Sequence, residues 1–239
     1  MSLDICLLGM GSHLMDEARQ NESGRRLFLM SSVAACMAPW SAAAEDLDAG
    51  GLTFRDFSAN DNGASFNRGD PMIAGGPNPV SSKILAIENE RGFARILFGS
   101  IKVEVSVPLG WQASEDWERG VAFSSDKRYR LIVWRVDFAF EGVKDAEHYA
   151  ATKSGSIQSR RPAVKAQGRK LSDGTFLMVY ENVAKGQGDS ESRVVFDWLK
   201  PSPNNPKEGV LLTLGVPTSD AARGLKLLAL MKQSLTVTW

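Results

Sequence analysis

Histidine is the side chain best suited to move protons near neutral pH, and it occurs only twice in 239 residues. One of the two, His148, lies beyond the N-terminal stretch. A Ser-His-Asp relay would have to use it, yet no Gly-x-Ser-x-Gly elbow is present to carry the nucleophile. Cys6 and Cys36, the two cysteines, both precede Ala44. The chain after Ala44 therefore has no thiolate for a zinc site or for nucleophilic attack, and only one imidazole for any metal. No recognisable catalytic set, cofactor site or metal site is expected, and His148 reads as an exposed or helix-capping residue.

Carboxylates are the remaining candidates. Asp173, Glu181, Asp189, Glu191 and Asp197 fall around three neighbouring strands, and a paired-acid hydrolase needs two of them at a defined separation across a cleft. Acids at strand ends and turns are ordinarily solvated, so a carboxylate-dependent hydrolase is the alternative reading. Gly186-Gln187-Gly188 lacks the Lys-Ser/Thr of a phosphate loop and no helix follows, so it reads as a hairpin turn. Arg160, Arg161, Lys165, Arg169 and Lys170 form a basic run, read as a solvated loop or helix end that could also meet an acidic partner. Trp117 sits among Glu115, Asp116, Glu118 and Arg119, where an exposed aromatic would make an interface anchor. Trp117, Arg160 and Arg161 are the candidate interface residues.

Charge excludes one large class of partner. Lysine plus arginine and aspartate plus glutamate stand at 28 each, which offers no basic surface for displacing counterions from nucleic acid. Hydrophobic residues at 43% and charged residues at 23% are ordinary for a globular domain.

The first 44 residues read as a targeting segment. Arg25 and Arg26 precede a moderately apolar run from Leu27 to about Ala38, too short to span a bilayer. Pro39 follows, and Ala42 and Ala44 set small residues at −3 and −1 of a peptidase site. With Phe28 and Leu29, the two arginines resemble a twin-arginine signal, Ser/Thr-Arg-Arg-x-Phe-Leu-Lys, from which Gly24 and Met30 depart. The resemblance implies export in a folded state to the periplasm. Val33-Ala34-Ala35-Cys36 is also similar to a lipobox, in which Cys36 would be lipidated and the product anchored to the envelope. Met15 is an alternative initiator.

The elements that position these residues follow from pattern. Residues 45–82 are rich in Gly, Asn, Asp, Ser and Pro and read as an irregular arm tacked down by Phe54, Phe57 and Phe66. The domain is expected over 83–239. Ile101, Val103, Val105 and Val107 alternate with polar residues, which predicts a half-buried strand ended by Pro108. Further strands are expected at 93–98, 121–123, 129–138, 176–180, 194–199 and 210–216. A helix should start at Asp145 and run to about Thr152. Another, capped by Thr218 or Ser219, should run from Asp220 to about Leu235 with a broad apolar stripe. The sum is one α+β domain, an antiparallel sheet flanked by helices.

Val105-Ser-Val107-Pro108-Leu109-Gly110-Trp111, the strands after it, Asp145 to Tyr149, Leu171-Ser172-Asp173-Gly174 and the closing helix together resemble the PsbP-like fold over roughly residues 94–239. That superfamily includes photosystem accessory subunits, envelope lipoproteins and secretion-system adaptor domains. The resemblance implies a sandwich that binds a protein partner in the envelope without catalysis. It carries no catalytic residue over.

Overall fold

A computed structural model describes residues 46–58, 65–68, 82–116, 118–185 and 190–239. The signal residues Arg25, Arg26, Phe28, Leu29, Ala42 and Ala44, the lipidation candidate Cys36, the anchor candidate Trp117, the Gly186–Gly188 turn and Asp189 lie outside them.

Numbered in chain order, twelve strands form two sheets among the described residues. The larger contains, side by side, β1 (Ser65–Arg68), β5 (Gln112–Glu115), β6 (Arg119–Phe123), β7 (Arg130–Asp137), β11 (Glu208–Pro217), β10 (Arg193–Pro201), β9 (Phe176–Val183) and β8 (Lys165–Lys170). Only β1 against β5 is parallel; the other neighbours are antiparallel. The smaller sheet is antiparallel, with β12 (Thr236–Val237), β4 (Val103–Pro108), β3 (Phe93–Phe98) and β2 (Lys83–Glu88) in that order. Two helices accompany the sheets among the described residues, α1 (Ala146–Arg160) and α2 (Ala221–Ser234). The expected α+β architecture with mostly antiparallel strands is present.

Alternation along the central strands explains the layering. Val194, Phe196 and Trp198 of β10, with Val210, Leu212, Leu214 and Val216 of β11, pack against the smaller sheet and α2. The intervening Val195 and Leu199 of β10 and Leu211 of β11 belong to a second core under α1. A strand buried on both faces reads as a continuous apolar run rather than an alternation, as 194–199 and 210–216 do. The stretch at 101–107 differs from its expectation. Residues 99–102 form the turn after β3, and Ser106 of β4 is buried, its N–H donating to Ser234 Oγ at 3.0 Å. The polar face of β4 is thus covered by the end of α2.

Close approach between the sheets is set at Gly120. A Cβ there would meet the Phe98 ring at 2.4–2.6 Å, so the phenyl ring rests directly on the β6 backbone. Gly110, at φ +82, makes the turn that swings Trp111 into the same layer, where its side chain is only 1% exposed.

Four elements depart from the sequence reading. α1 continues to Arg160, about two turns beyond Thr152, because nothing in 153–159 breaks a helix except Gly155, which meets no neighbour. The basic run is split: Arg160 ends α1, and Lys165–Lys170 is edge strand β8, where charge guards an unpaired edge. Thr218 and Ser219 do not cap α2. They form a 3-10 turn before it, with Thr218 Oγ1 donating to Ser192 O and Ser219 Oγ to Glu191. Within 45–82, Phe54–Phe57 is a 3-10 turn with Phe54 in the core, and β1 pairs with β5.

Gly120→Ala is expected to destabilise the domain by about 1–3 kcal/mol, the usual range for overpacking. Urea unfolding should show a lower midpoint, and Phe98→Leu in the same background should recover part of the loss.

Candidate functional site

The acids expected around three strands do not converge. Asp173, in the β8–β9 turn, pairs with Lys232 of α2 at 2.7 Å and accepts from Thr175 Oγ1 at 2.6 Å. Asp197, in mid β10, points the opposite way, towards α1. Glu191 accepts from Ser219 N and Oγ at the far end of β10, and Glu181 is exposed. Asp173 and Asp197 thus lie on opposite sides of one sheet, the geometry opposite to two acids sharing a cleft. His148 is exposed on the first turn of α1. Its N–H donates to the Asp145 carboxylate at 2.8 Å, the N-cap bond, and its Nδ1 accepts from Lys144 N at 3.4 Å. Arg160 is exposed and Arg161 half-buried at the end of α1.

Asp197 was expected to be solvated, and it is the correction that matters most. It is 1% exposed. Lys153 of α1 reaches its Oδ2 at 2.9 Å, and Thr213 of β11 donates to its Oδ1 at 2.5 Å. Tyr149 and Tyr180 close the cluster, with the ammonium 5.8 Å from the Tyr149 ring centroid and Tyr180 Oη 3.5 Å from Ser154 Oγ. Burial alone would lower the Lys153 pKa. The Asp197 carboxylate and the two phenols outweigh it, so the ammonium is held above its ordinary range. Burial raises both phenols, and the Asp197 charge adds to it. The lysine stays charged and both phenols stay neutral, so the cluster holds α1 on the sheet rather than supplying a base. A charge inside an otherwise apolar strand run was the signal available in the sequence.

A second buried acid was also missed. Glu115 of β5 is 2% exposed. Its Oε1 accepts from Ser100 N at 2.8 Å and from Ser100 Oγ, stitching the larger sheet to the β3–β4 turn, while Oε2 has no partner. Burial pushes its pKa up, against the Ser100 hydrogen bonds that pull it down. Period-two alternation from Ala113 would have placed Glu115 inward.

A concavity of about 310 Å³ lies where the 3-10 turn Phe54–Phe57, the β6–β7 connection and the start of α2 meet. Phe57, Trp111 and Tyr129 supply aromatic surface, and Arg128, Asp220 and Arg223 supply charge. Arg128 pairs with Asp220 at 2.9 Å. The Arg223 guanidinium lies 4.9 Å from the Phe57 ring centroid and donates to Asp56 O. Burial first, then the Asp220 charge, pushes the Tyr129 phenol up to about 12. Trp111 Nε1 is buried and has no acceptor. The Trp111 ring belongs to the core shared with the smaller sheet, and only its N–H is left without a partner there.

One further surface stands out. Leu85 is 38% and Ile87 48% exposed on β2, the outer strand of the smaller sheet. Ile84, between Lys83 and Leu85, packs instead on Ala94 and Leu109.

Lys153→Met leaves a buried carboxylate unpaired and is expected to lower stability by about 3–5 kcal/mol, with Lys153→Met/Asp197→Leu recovering much of it; paired urea curves measure both. Glu115 gives a pH signature. Its native pKa is raised above the ordinary 4.5, so the stability it contributes is full below that value and is lost as pH rises through the native pKa. Glu115→Gln should therefore gain on the parent protein between pH 4.5 and neutrality, read as a diverging pair of stability–pH curves.

No protein-family model matches the chain, and no curated protein sequence matches it. Among solved structures it is similar to the Saccharomyces cerevisiae Ran-binding protein Mog1p, at 15% identity and a TM-score of 0.45, over 61% of this chain and 95% of that one.

Proposed function

We propose that this chain is an exported accessory protein of the cell envelope, non-catalytic, that acts by binding a protein partner through a PsbP-like α+β domain. The observation that carries the reading is the apolar edge at Leu85 and Ile87. Isolated exposed leucines are ordinary. Two neighbouring apolar side chains on an outer strand are less so, because such edges are normally charged or covered. Burying each fully on a partner would contribute about 1.5–3 kcal/mol, enough for the centre of a modest interface. The register shift between Ile84 and Ala86 puts a bulge at Leu85, which interrupts the edge ladder. A partner therefore docks on the side chains rather than by extending the sheet along all of β2.

The reading on export rests on the paired arginines and the small-residue site in the sequence. Glu45 as the mature N-terminus gives a soluble periplasmic product, whereas an acylated Cys36 gives an envelope-anchored one.

Expression of the full chain, followed by fractionation and N-terminal sequencing, should return Glu45 in the periplasmic fraction. A photocrosslinking side chain at position 85 should then form one discrete adduct. Ile87→Lys should abolish the adduct without moving the melting temperature. Retention of the whole chain in the cytosol, or an adduct insensitive to Ile87→Lys, would sink the proposal.

A further inference from the structure

α1 packs on β8, β9 and β10, which leaves β6 and the start of β7 past its edge on the same sheet face. Register fixes what lies there. Arg119 stands opposite Trp134, Val121 opposite Ile132 and Phe123 opposite Arg130, so these six side chains share one face. Arg130 is also opposite Gly215 of β11, and Val195, from the core under α1, lies 3.9 Å from where a Gly215 Cβ would stand. The patch is therefore on the side that α1 covers elsewhere. The missing side chain at Gly215 leaves room for the Arg193 guanidinium, whose Nη1 is also 3.9 Å from that position. Three guanidiniums thus gather beside half-buried Val121, Phe123 and Trp134.

Their charges are met unequally. Arg119 pairs with Asp116 at 2.9 Å. Arg193 donates to the backbone carbonyls of Arg128 and Lys127 at 3.1 and 3.2 Å. Arg130, half-buried, has no ion pair and no side-chain hydrogen bond among the described residues. Burial first, then the Arg119 and Arg193 charges, draw its pKa down, and no carboxylate offsets them. It stays protonated all the same, since an arginine in a protein keeps its proton. A half-buried cation among like charges costs folding free energy. An anionic group against Arg130 would remove that cost, and a planar guanidinium takes a carboxylate through two parallel hydrogen bonds.

Charge and surroundings select the occupant. Nucleic acid and anionic membranes are met by broad fields of lysine and arginine. Here three arginines stand among apolar side chains, in a chain whose charges balance at 28 each. A free small anion would satisfy Arg130 but leave Val121, Phe123 and Trp134 in water. An acidic residue flanked by apolar ones answers both, and arginine beside aromatic rings is the composition of binding hot spots.

We propose that the β6–β7 patch is a docking surface for an acidic segment of a protein partner. A carboxylate of that segment pairs with Arg130, and its apolar neighbours cover Val121, Phe123 and Trp134. The smaller sheet, which carries Leu85 and Ile87, packs on the opposite side of the larger one. The patch shares no residue with that edge and depends neither on it nor on export.

The purified full chain should be titrated into a short fluorescent peptide that alternates glutamate with leucine, and into its glutamine counterpart, with anisotropy as the readout. The glutamate peptide should bind saturably, and the glutamine peptide about tenfold more weakly. Arg130→Gln should reduce affinity for the glutamate peptide about tenfold, equivalent to about 1.4 kcal/mol, and Arg130→Lys by less. Because nothing compensates Arg130, Arg130→Gln should hold or raise the melting temperature, whereas loss of a structural arginine would lower it. Arg95→Gln, exposed on the smaller sheet, should leave binding unchanged. Full displacement of the peptide by inorganic phosphate would reassign the patch to a small anion, and by phosphatidylserine vesicles to a membrane; either overturns the proposal. So would a glutamate peptide that does not bind, a glutamine peptide that binds as well, undiminished affinity in Arg130→Gln, or a lower melting temperature for that variant.

Discussion

Everything in the domain answers to a sheet whose central strands are apolar on both faces. β10 and β11 alternate between two cores, so neither face can be left to water, and two separate covers are needed. The smaller sheet and α2 supply one, and α1 supplies the other. The second cover is narrow. α1, with 15 residues, is roughly 22 Å long and packs on β8, β9 and β10. An eight-stranded sheet is about 34 Å across at ~4.8 Å per strand. Past the helix the residues change in kind. Arg119 lies over the Trp134 ring at 5.1 Å and pairs with Asp116, so long amphipathic side chains shield the β6–β7 part of the same face.

Polar groups inside such a core are informative because each costs free energy unless it is paired. Asp197 is fully committed, with Lys153 and Thr213 on its two oxygens. Trp198 Nε1 is likewise satisfied by Thr175 Oγ1 at 2.8 Å. Glu115 is half satisfied, and Trp111 Nε1 not at all. The ordering follows position. Asp197 and Trp198 sit under elements whose packing is complete. Glu115 and Trp111 sit where turns, rather than helices, close the layer, and there two polar atoms stay unpaired inside it.

Legibility in the sequence followed the same division. Strands with strong apolar runs, at 129–138, 194–199 and 210–216, were readable because burial on both faces leaves a dense local signature. The stretch from Lys165 to Lys170 was not, since an edge strand defended by charge looks like a loop. β2 was hidden by its nearness to the glycine-rich arm. The Lys153–Asp197 pair joins residues 44 apart on different elements, and no local pattern specifies which lysine reaches which strand. The cavity was further out of reach, being assembled from Phe57, Tyr129 and Arg223, three segments that only the tertiary fold unites. Even so, the single charge at Asp197 within an apolar run, and the inward parity of Glu115, were visible to a stricter use of alternation.

The turn at Phe54–Phe57 draws the two candidate surfaces into one frame. Its Asp56 and Phe57, with Ser58, line the cavity. From the same turn, Arg55 donates to Asn89 O and Glu90 O, and Ser58 Oγ to Gly92 O at 2.7 Å, so it also grips the connection between β2 and β3. Gly92 has φ +74, and a Cβ there would meet the Arg55 backbone at 2.5–2.7 Å. The contact is backbone on backbone, with no flexible side chain between to absorb a shift. The strand that presents Leu85 and Ile87 and the wall that carries Phe57 are therefore fixed to one another through four residues of a segment that composition alone marks as irregular. The geometry of the β2 edge and that of the cavity cannot be set independently.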